Sequence, residues 1–118
     1  MQNPSGLWQN TRMFIYHIAL PAEWERFKGK PSYQPASLAA EGFIHCSYAE
    51  QIDKVLQRYF RDAGEVLILK IDTDKLLARL VEEPSTGGEV YPHIYGRLNH
   101  NAVLGIETRR LSAAKLGN

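Results

Sequence analysis

The sequence has little cysteine, little net charge and no long apolar run. Its 118 residues include 1 cysteine, Cys46, which cannot close an internal disulfide. That usage leads us to expect a reducing, cytoplasmic setting. Lys and Arg number 14 against 13 Asp and Glu, for a formal charge of +1. Nothing in that balance recruits a membrane surface or a nucleic acid, so neither partner is expected. No stretch approaches the roughly 20 apolar residues of a membrane span. The glycine-rich phosphate loops of Rossmann and P-loop sites are missing, which argues against those modes of nucleotide binding. His-x-His, His-Glu-x-x-His and Cys-x-x-Cys are missing too, so no metal is expected.

What is present reads as one soluble α+β domain. Apolar residues make up 44% and charged residues 23%, ordinary values for a globular chain of this length. Met13 stands just before the first strand-like run. The expected organisation is therefore an N-terminal extension over Met1–Arg12, a domain over Met13–Leu111 and a tail over Ser112–Asn118. Met13–Leu20 is apolar on both faces and reads as a buried strand. Pro21 suits a first helical turn, and Trp24 and Phe27 face inward from a helix over Ala22–Lys28. Gly29–Pro35 reads as loop and Ser37–Glu41 as a helical turn closed by Gly42. Phe43–Cys46 is the second strand. Ile52, Val55, Leu56, Tyr59 and Phe60 give the apolar stripe of a helix over Tyr48–Arg61. Glu65–Asp72 is a central strand, followed by a short turn capped by Asp72 or Thr73. Leu80–Glu83, Val90–Leu98 and Ala102–Leu111 are further strands, with Pro92 predicting an edge or a bulge. Strands dominate the second half, which favours α+β over a doubly wound parallel sheet.

Two stretches carry the candidate chemistry. In Gly42-Phe43-Ile44-His45-Cys46-Ser47, alternation puts His45 and Ser47 on one face and Cys46 on the other. Ser47 also suits a helix N-cap, with Glu50 three residues on. Cys46 reads as a small buried residue, inert as a nucleophile. In Glu82 to Gly96, the residues Tyr91, His93 and Tyr95 alternate on one face, a row suited to stacking on a planar ring or shielding an edge. His17, inside an apolar strand, is either a core histidine with one partner or a pocket ligand. His100, in a polar turn, is expected to be solvated.

Together these residues resemble a known bacterial family. Tyr16-His17-Ile18, Trp24, Glu41 through Ser47 with Gln51, Glu83, and Tyr91-Pro92-His93-Ile94-Tyr95-Gly96 are similar to the pattern of the domain of unknown function 952 family. The likeness spans about Met13 to Arg109. It implies similarity to the ADP-ribosyltransferase superfamily, in which a split, mostly antiparallel sheet with two or three helices holds NAD in a cleft. Carried over, His17 becomes the first-strand cofactor ligand, His45 and Ser47 the second-strand group, and Glu83 the acid. His93 and Tyr95 belong to this family's own pattern.

Three functions follow as expectations. The first is an enzyme that transfers or cleaves the ADP-ribosyl group of NAD or a related nucleotide. Glu83, His45 and His93 would be catalytic, and His17, Ser47, Tyr91 and Tyr95 would bind. The second is a phosphoesterase of the two-histidine type, since His45-Cys46-Ser47 supplies one His-x-Ser half and His93-Ile94-Tyr95 a partial second. The third is a non-catalytic module for a small ligand.

Overall fold

Alternation along the first strand decides how the molecule is layered. A computed structural model describes residues 14–111. The expected extension over Met1–Arg12 and tail over Ser112–Asn118 lie outside the described residues. The elements are, in order, β1 (Phe14–Ala19), α1 (Pro21–Glu25), β2 (Ser32–Tyr33), α2 (Ala36–Glu41), β3 (Ile44–His45), α3 (Ile52–Tyr59), β4 (Glu65–Asp72), β5 (Arg79–Pro84), β6 (Val90–Tyr95), β7 (Leu98–Asn99) and β8 (Val103–Arg110). On β1, Ile15 and Ala19 join the main core with Leu69 and Ile71 of β4. Ile18, on the other face, joins Val66 and Ile68 beneath Ile52 and Leu56 of α3. Burying one such side chain contributes about 1.5–3 kcal/mol, so two apolar faces make β1 and β4 the backbone of the fold.

Two three-stranded sheets result, ordered β1–β4–β8 and β3–β6–β5, with a small β2–β7 pair. Every ladder among the described residues is antiparallel. With three α-helices this is the α+β class the sequence indicates. Among the described residues a single bridge joins the sheets: the Tyr16 N–H donates to the Ser47 carbonyl at 2.8 Å, and the Ser47 N–H donates back at 2.7 Å. Beyond it no ladder joins the two sheets among the described residues.

Pro92 explains where that split falls. The expectation of an edge or a bulge is corrected, because β6 is the central strand of its sheet and Pro92 is fully buried. The Cys46 N–H donates to the Pro92 carbonyl at 3.1 Å. A normal antiparallel pair would return a second bond, but proline has no N–H to give. The β3–β6 ladder therefore ends at His45, and Ser47, the next strand-like residue, pairs with β1 instead.

Other boundaries shift for local reasons. Asp72 caps its turn as expected, accepting from the Asp74 N–H at 2.9 Å. Gly42 closes α2 at a φ of 90°. The stretch read as loop over Gly29–Pro35 contains β2, held by tertiary packing of the buried Tyr33 against Trp24 and Phe27. The long helix is shorter than its stripe suggests: a 3-10 turn over Ala49–Gln51 precedes α3, and Tyr59 is exposed rather than inward. β6 stops at Tyr95 because Gly96, at a φ of 151°, turns the chain against Ala78.

Candidate functional site

His17 enters the site region from β1, and both its ring nitrogens are used. Nδ1 donates to the His45 carbonyl at 2.7 Å, and Nε2 lies 3.1 Å from the Tyr33 hydroxyl. A carbonyl only accepts, so Nδ1 carries the proton and a neutral Nε2 accepts from Tyr33. Burial lowers the His17 pKa, which keeps the ring neutral. Burial, reinforced by the charge of Glu23, raises that of Tyr33, so the hydroxyl keeps its proton. In this arrangement His17 ties β1 to the backbone of His45 and has no nitrogen left for a ligand.

The reactive surface lies one strand further on. His45 of β3 and His93 of β6 are register partners. Their rings meet edge to face with centroids 5.3 Å apart. Phe43 stacks on His93 at 4.1 Å and 17°, which fixes that ring's plane. Each imidazole has its own carboxylate. His45 Nε2 donates to Glu41 at 2.7 Å, and His93 Nδ1 donates to Glu83 at 2.6 Å. The Tyr95 hydroxyl donates to the same Glu83 oxygen at 2.7 Å. These bonds, from His93 first and Tyr95 second, hold the Glu83 pKa below the usual carboxylate range, and the bond to Glu83 raises that of Tyr95. Each ring keeps a second nitrogen, Nδ1 of His45 and Nε2 of His93, outside these contacts. One can take a proton while the other gives one.

A cleft of about 780 Å³ opens at this place, in the range of small-molecule sites. His17, His45, Ser47, Tyr91 and His93 all border it, as do Arg58 of α3 and the β5–β6 turn. Glu83 stands behind His93 as its hydrogen-bond partner, and Tyr95 donates to Glu83 in turn. Cys46 is buried, and burial pushes its thiol pKa up. The expectation that Ser47 caps the helix is corrected. Its backbone makes the bridge to Tyr16, and Gln51, not Glu50, reaches back to accept from the Tyr48 N–H at 2.9 Å. The Gln51 amide also donates to Glu89 at 3.0 Å and to the Val90 carbonyl at 2.9 Å, clamping the helix start to the hairpin. The Tyr48 hydroxyl donates to Glu82 nearby. His100 is not a solvated turn residue: it stacks on Trp24 at 5.2 Å, with its Nε2 buried.

The family model described as "Protein of unknown function (DUF952)" matches residues 18–106. The chain belongs to this family. The crystal structure of protein CC0527 from Caulobacter crescentus is similar to this DUF952 chain. It is 31% identical, with a TM-score of 0.73, over 80% of this chain and 84% of that one. The solution NMR structure of CC0527 is 32% identical, with a TM-score of 0.69, over 80% and 82%. No curated protein matches the chain.

Several residues of this DUF952 site escape a reading of the sequence. Glu41 is one, although it stands four residues before His45. That spacing signals contact within a helix, but here α2 ends between the two and the contact depends on the turn at Gly42. Phe43 had a plainer signal, because alternation places it on the face of His45. Arg58 had none, since its position at the cleft is set by how α3 packs. Among the described residues, no group of three or more His, Cys, Asp or Glu is placed to hold a metal ion. No helix among them is long and apolar enough to cross a membrane.

Proposed function

We propose that the cleft binds a nucleotide of the NAD type and transfers or cleaves its ADP-ribosyl group. The observation that carries the reading is the split between two antiparallel sheets, bridged among the described residues only at Tyr16–Ser47, with His45 and His93 lining the cleft. This agrees with an ADP-ribosyltransferase-like sheet. Glu83, behind His93, supplies fixed negative charge through that imidazole, which borders the cleft where an oxocarbenium-like transition state develops positive charge. His93 and Tyr95 orient that carboxylate. Tyr91 offers a ring face for stacking, and Ser47 a polar wall. In hydrolysis, His45 takes the proton of the attacking water as the new carbon–oxygen bond forms. The carbon–nitrogen bond to nicotinamide breaks, and the ring leaves with the electron pair as a neutral molecule. His17 serves from behind, by holding the His45 backbone.

Calorimetric titration with NAD tests the binding step. Heat saturating in the micromolar to millimolar range, weakened in His45→Ala, is expected. His45 is exposed, so that variant leaves the core intact, whereas His17→Ala would break it. A folded wild type that gives no heat at millimolar NAD would refute the proposal.

The 5.3 Å approach of two carboxylate-backed imidazoles favours one further reading, a two-histidine phosphoesterase. In that reaction one ring would take the proton of a water attacking phosphorus while the other gives a proton to the departing oxygen. Turnover of nucleoside 2′,3′-cyclic phosphates, lost in His45→Ala/His93→Ala, would select it. Binding without any turnover would select the non-catalytic module.

A further inference from the structure

The walls of the cleft carry hydrogen-bond donors that the described residues leave unused. Apart from the histidines, three charged side chains border it: Glu23 of α1, Glu41 of α2 and Arg58 of α3. Both carboxylates are engaged. Glu23 accepts from the Ala36 N–H at 2.8 Å, and Glu41 accepts from His45. Arg58 has no carboxylate partner among the described residues, and its guanidinium lies 6.0 Å from the centroid of the neighbouring Tyr59 ring. Ser47 is an independent observation. It is 4% exposed, it borders the cleft, and its hydroxyl has no hydrogen-bond partner among the described residues. A buried hydroxyl ordinarily finds one, and the bridge to Tyr16 uses only the Ser47 backbone. Ser85 and Thr86, on the β5–β6 turn, border the same space, with hydroxyls that are likewise unpartnered among the described residues.

We infer that Arg58 and Ser47 form a phosphate subsite in the cleft, so that the ligand is a nucleotide held through its phosphates. A guanidinium offers only donors, in a fork that matches two phosphate oxygens. The Ser47 hydroxyl gives one more, and meeting a phosphate oxygen removes the cost of leaving it buried without a partner. The carboxylates on α1 and α2 repel an anion, which leaves α3 as the wall that takes it. Tyr59, next to Arg58 on α3, is 69% exposed and also borders the cleft, so it offers a ring face to the base of the same nucleotide. The inference deepens the proposed function and rests on it only in taking this cleft as the ligand site. It does not use His45 or His93.

Calorimetric titration of the full chain with ADP, and with adenosine as the phosphate-free control, tests this. The wild type is expected to bind ADP more tightly than adenosine. Arg58→Gln should weaken ADP by about 10- to 100-fold, the range for losing a hydrogen bond to a charged group, and leave adenosine unchanged. Arg58 is exposed, so this variant keeps the core intact. Ser47→Ala, which keeps the backbone bridge, should weaken ADP in the same direction. Arg61→Gln removes the same charge from a residue that does not border the cleft, and should bind ADP as the wild type does. A wild type that binds ADP no more tightly than adenosine, or gives no heat with ADP at on the order of 1 mM, overturns the inference. Equal losses in Arg58→Gln and Arg61→Gln overturn it too, since they mark a general charge effect. So does full ADP affinity in Arg58→Gln, which leaves Arg58 only its complement to the helix dipole. ADP binding without turnover of NAD removes the proposed reaction and keeps the subsite. NAD turnover indifferent to Arg58→Gln keeps the reaction and removes the subsite.

Discussion

His45 and His93 are partners across the β3–β6 ladder, and their imidazoles meet edge to face 5.3 Å apart. The pairing is a backbone consequence. Opposite residues on antiparallel strands project to the same side, so once Ile44 and Ile94 pair in the core the two histidines must meet at the surface. Pro92 then ends the ladder one residue later, and the sheet splits where the histidines stand.

The carboxylate behind His93 should appear in the acid limb of stability. Hydrogen bonds from His93 and Tyr95 hold the Glu83 pKa below its unfolded value. Such a group contributes stability above the unfolded pKa, and that contribution is lost as pH falls through the lower folded value. Glu83→Gln should therefore be less stable than wild type at neutral pH and lose less on acidification. Denaturant titrations of both proteins from neutral pH to pH 3 check this.

His17 has a depressed pKa too, caused by burial, but the sign follows from a base. Below about pH 6.5 the unfolded ring binds a proton that the folded ring does not. The unfolded state then binds more protons, so stability falls as pH drops through that value toward the lower folded pKa. His17→Gln should be less stable at neutral pH and show a flatter profile between about pH 7 and 5. Tyr33→Phe removes the donor to Nε2 and leaves a buried acceptor unsatisfied. Its expected cost is about 1–3 kcal/mol, measured by urea unfolding at neutral pH.

Gln51 and Lys54 both reach Glu89, yet they should matter unequally. Gln51 is buried and serves three backbone and side-chain partners, so Gln51→Ala should cost about 1–3 kcal/mol. Lys54 is partly exposed, and an ion pair of that kind contributes about 0–1 kcal/mol. Lys54→Ala should be close to neutral. Thermal unfolding of the two variants side by side decides the ranking.

How much of this was legible in the sequence depends on whether the cause was local. β1 and β4 are readable because each is apolar on both faces over a whole strand. Gly42 and Asp72 follow from local cap chemistry. Pro92 misleads, because the rule against proline in central strands assumes that its N–H is needed. Here the strand it faces ends at that residue. β2 and β7 have two residues each and exist only because Tyr33 packs against Trp24 and Phe27. In the candidate site, the face shared by Tyr91, His93 and Tyr95 follows from alternation. The satisfied state of His17 does not, since Tyr33 and the His45 carbonyl reach it from distant segments.

Gly96 tests the turn that ends β6. A Cβ there would lie 2.8 Å from the Cβ of Ala78, at a backbone φ of 151°. Both the clash and the dihedral oppose a side chain. Gly96→Ala should lower stability by about 1–3 kcal/mol, with Gly87→Ala, which meets open space, as the neutral comparison. Melting temperatures of the pair provide the check.

The most direct test of the proposed chemistry is nicotinamide release from NAD, followed chromatographically for wild type and Glu83→Gln at equal concentrations of folded protein. The wild type should release nicotinamide, and the variant should be slower by about 100-fold or more, the loss expected when a preorganised charge acting through His93 is removed. No release by the wild type, or equal rates in the two proteins, would contradict the account.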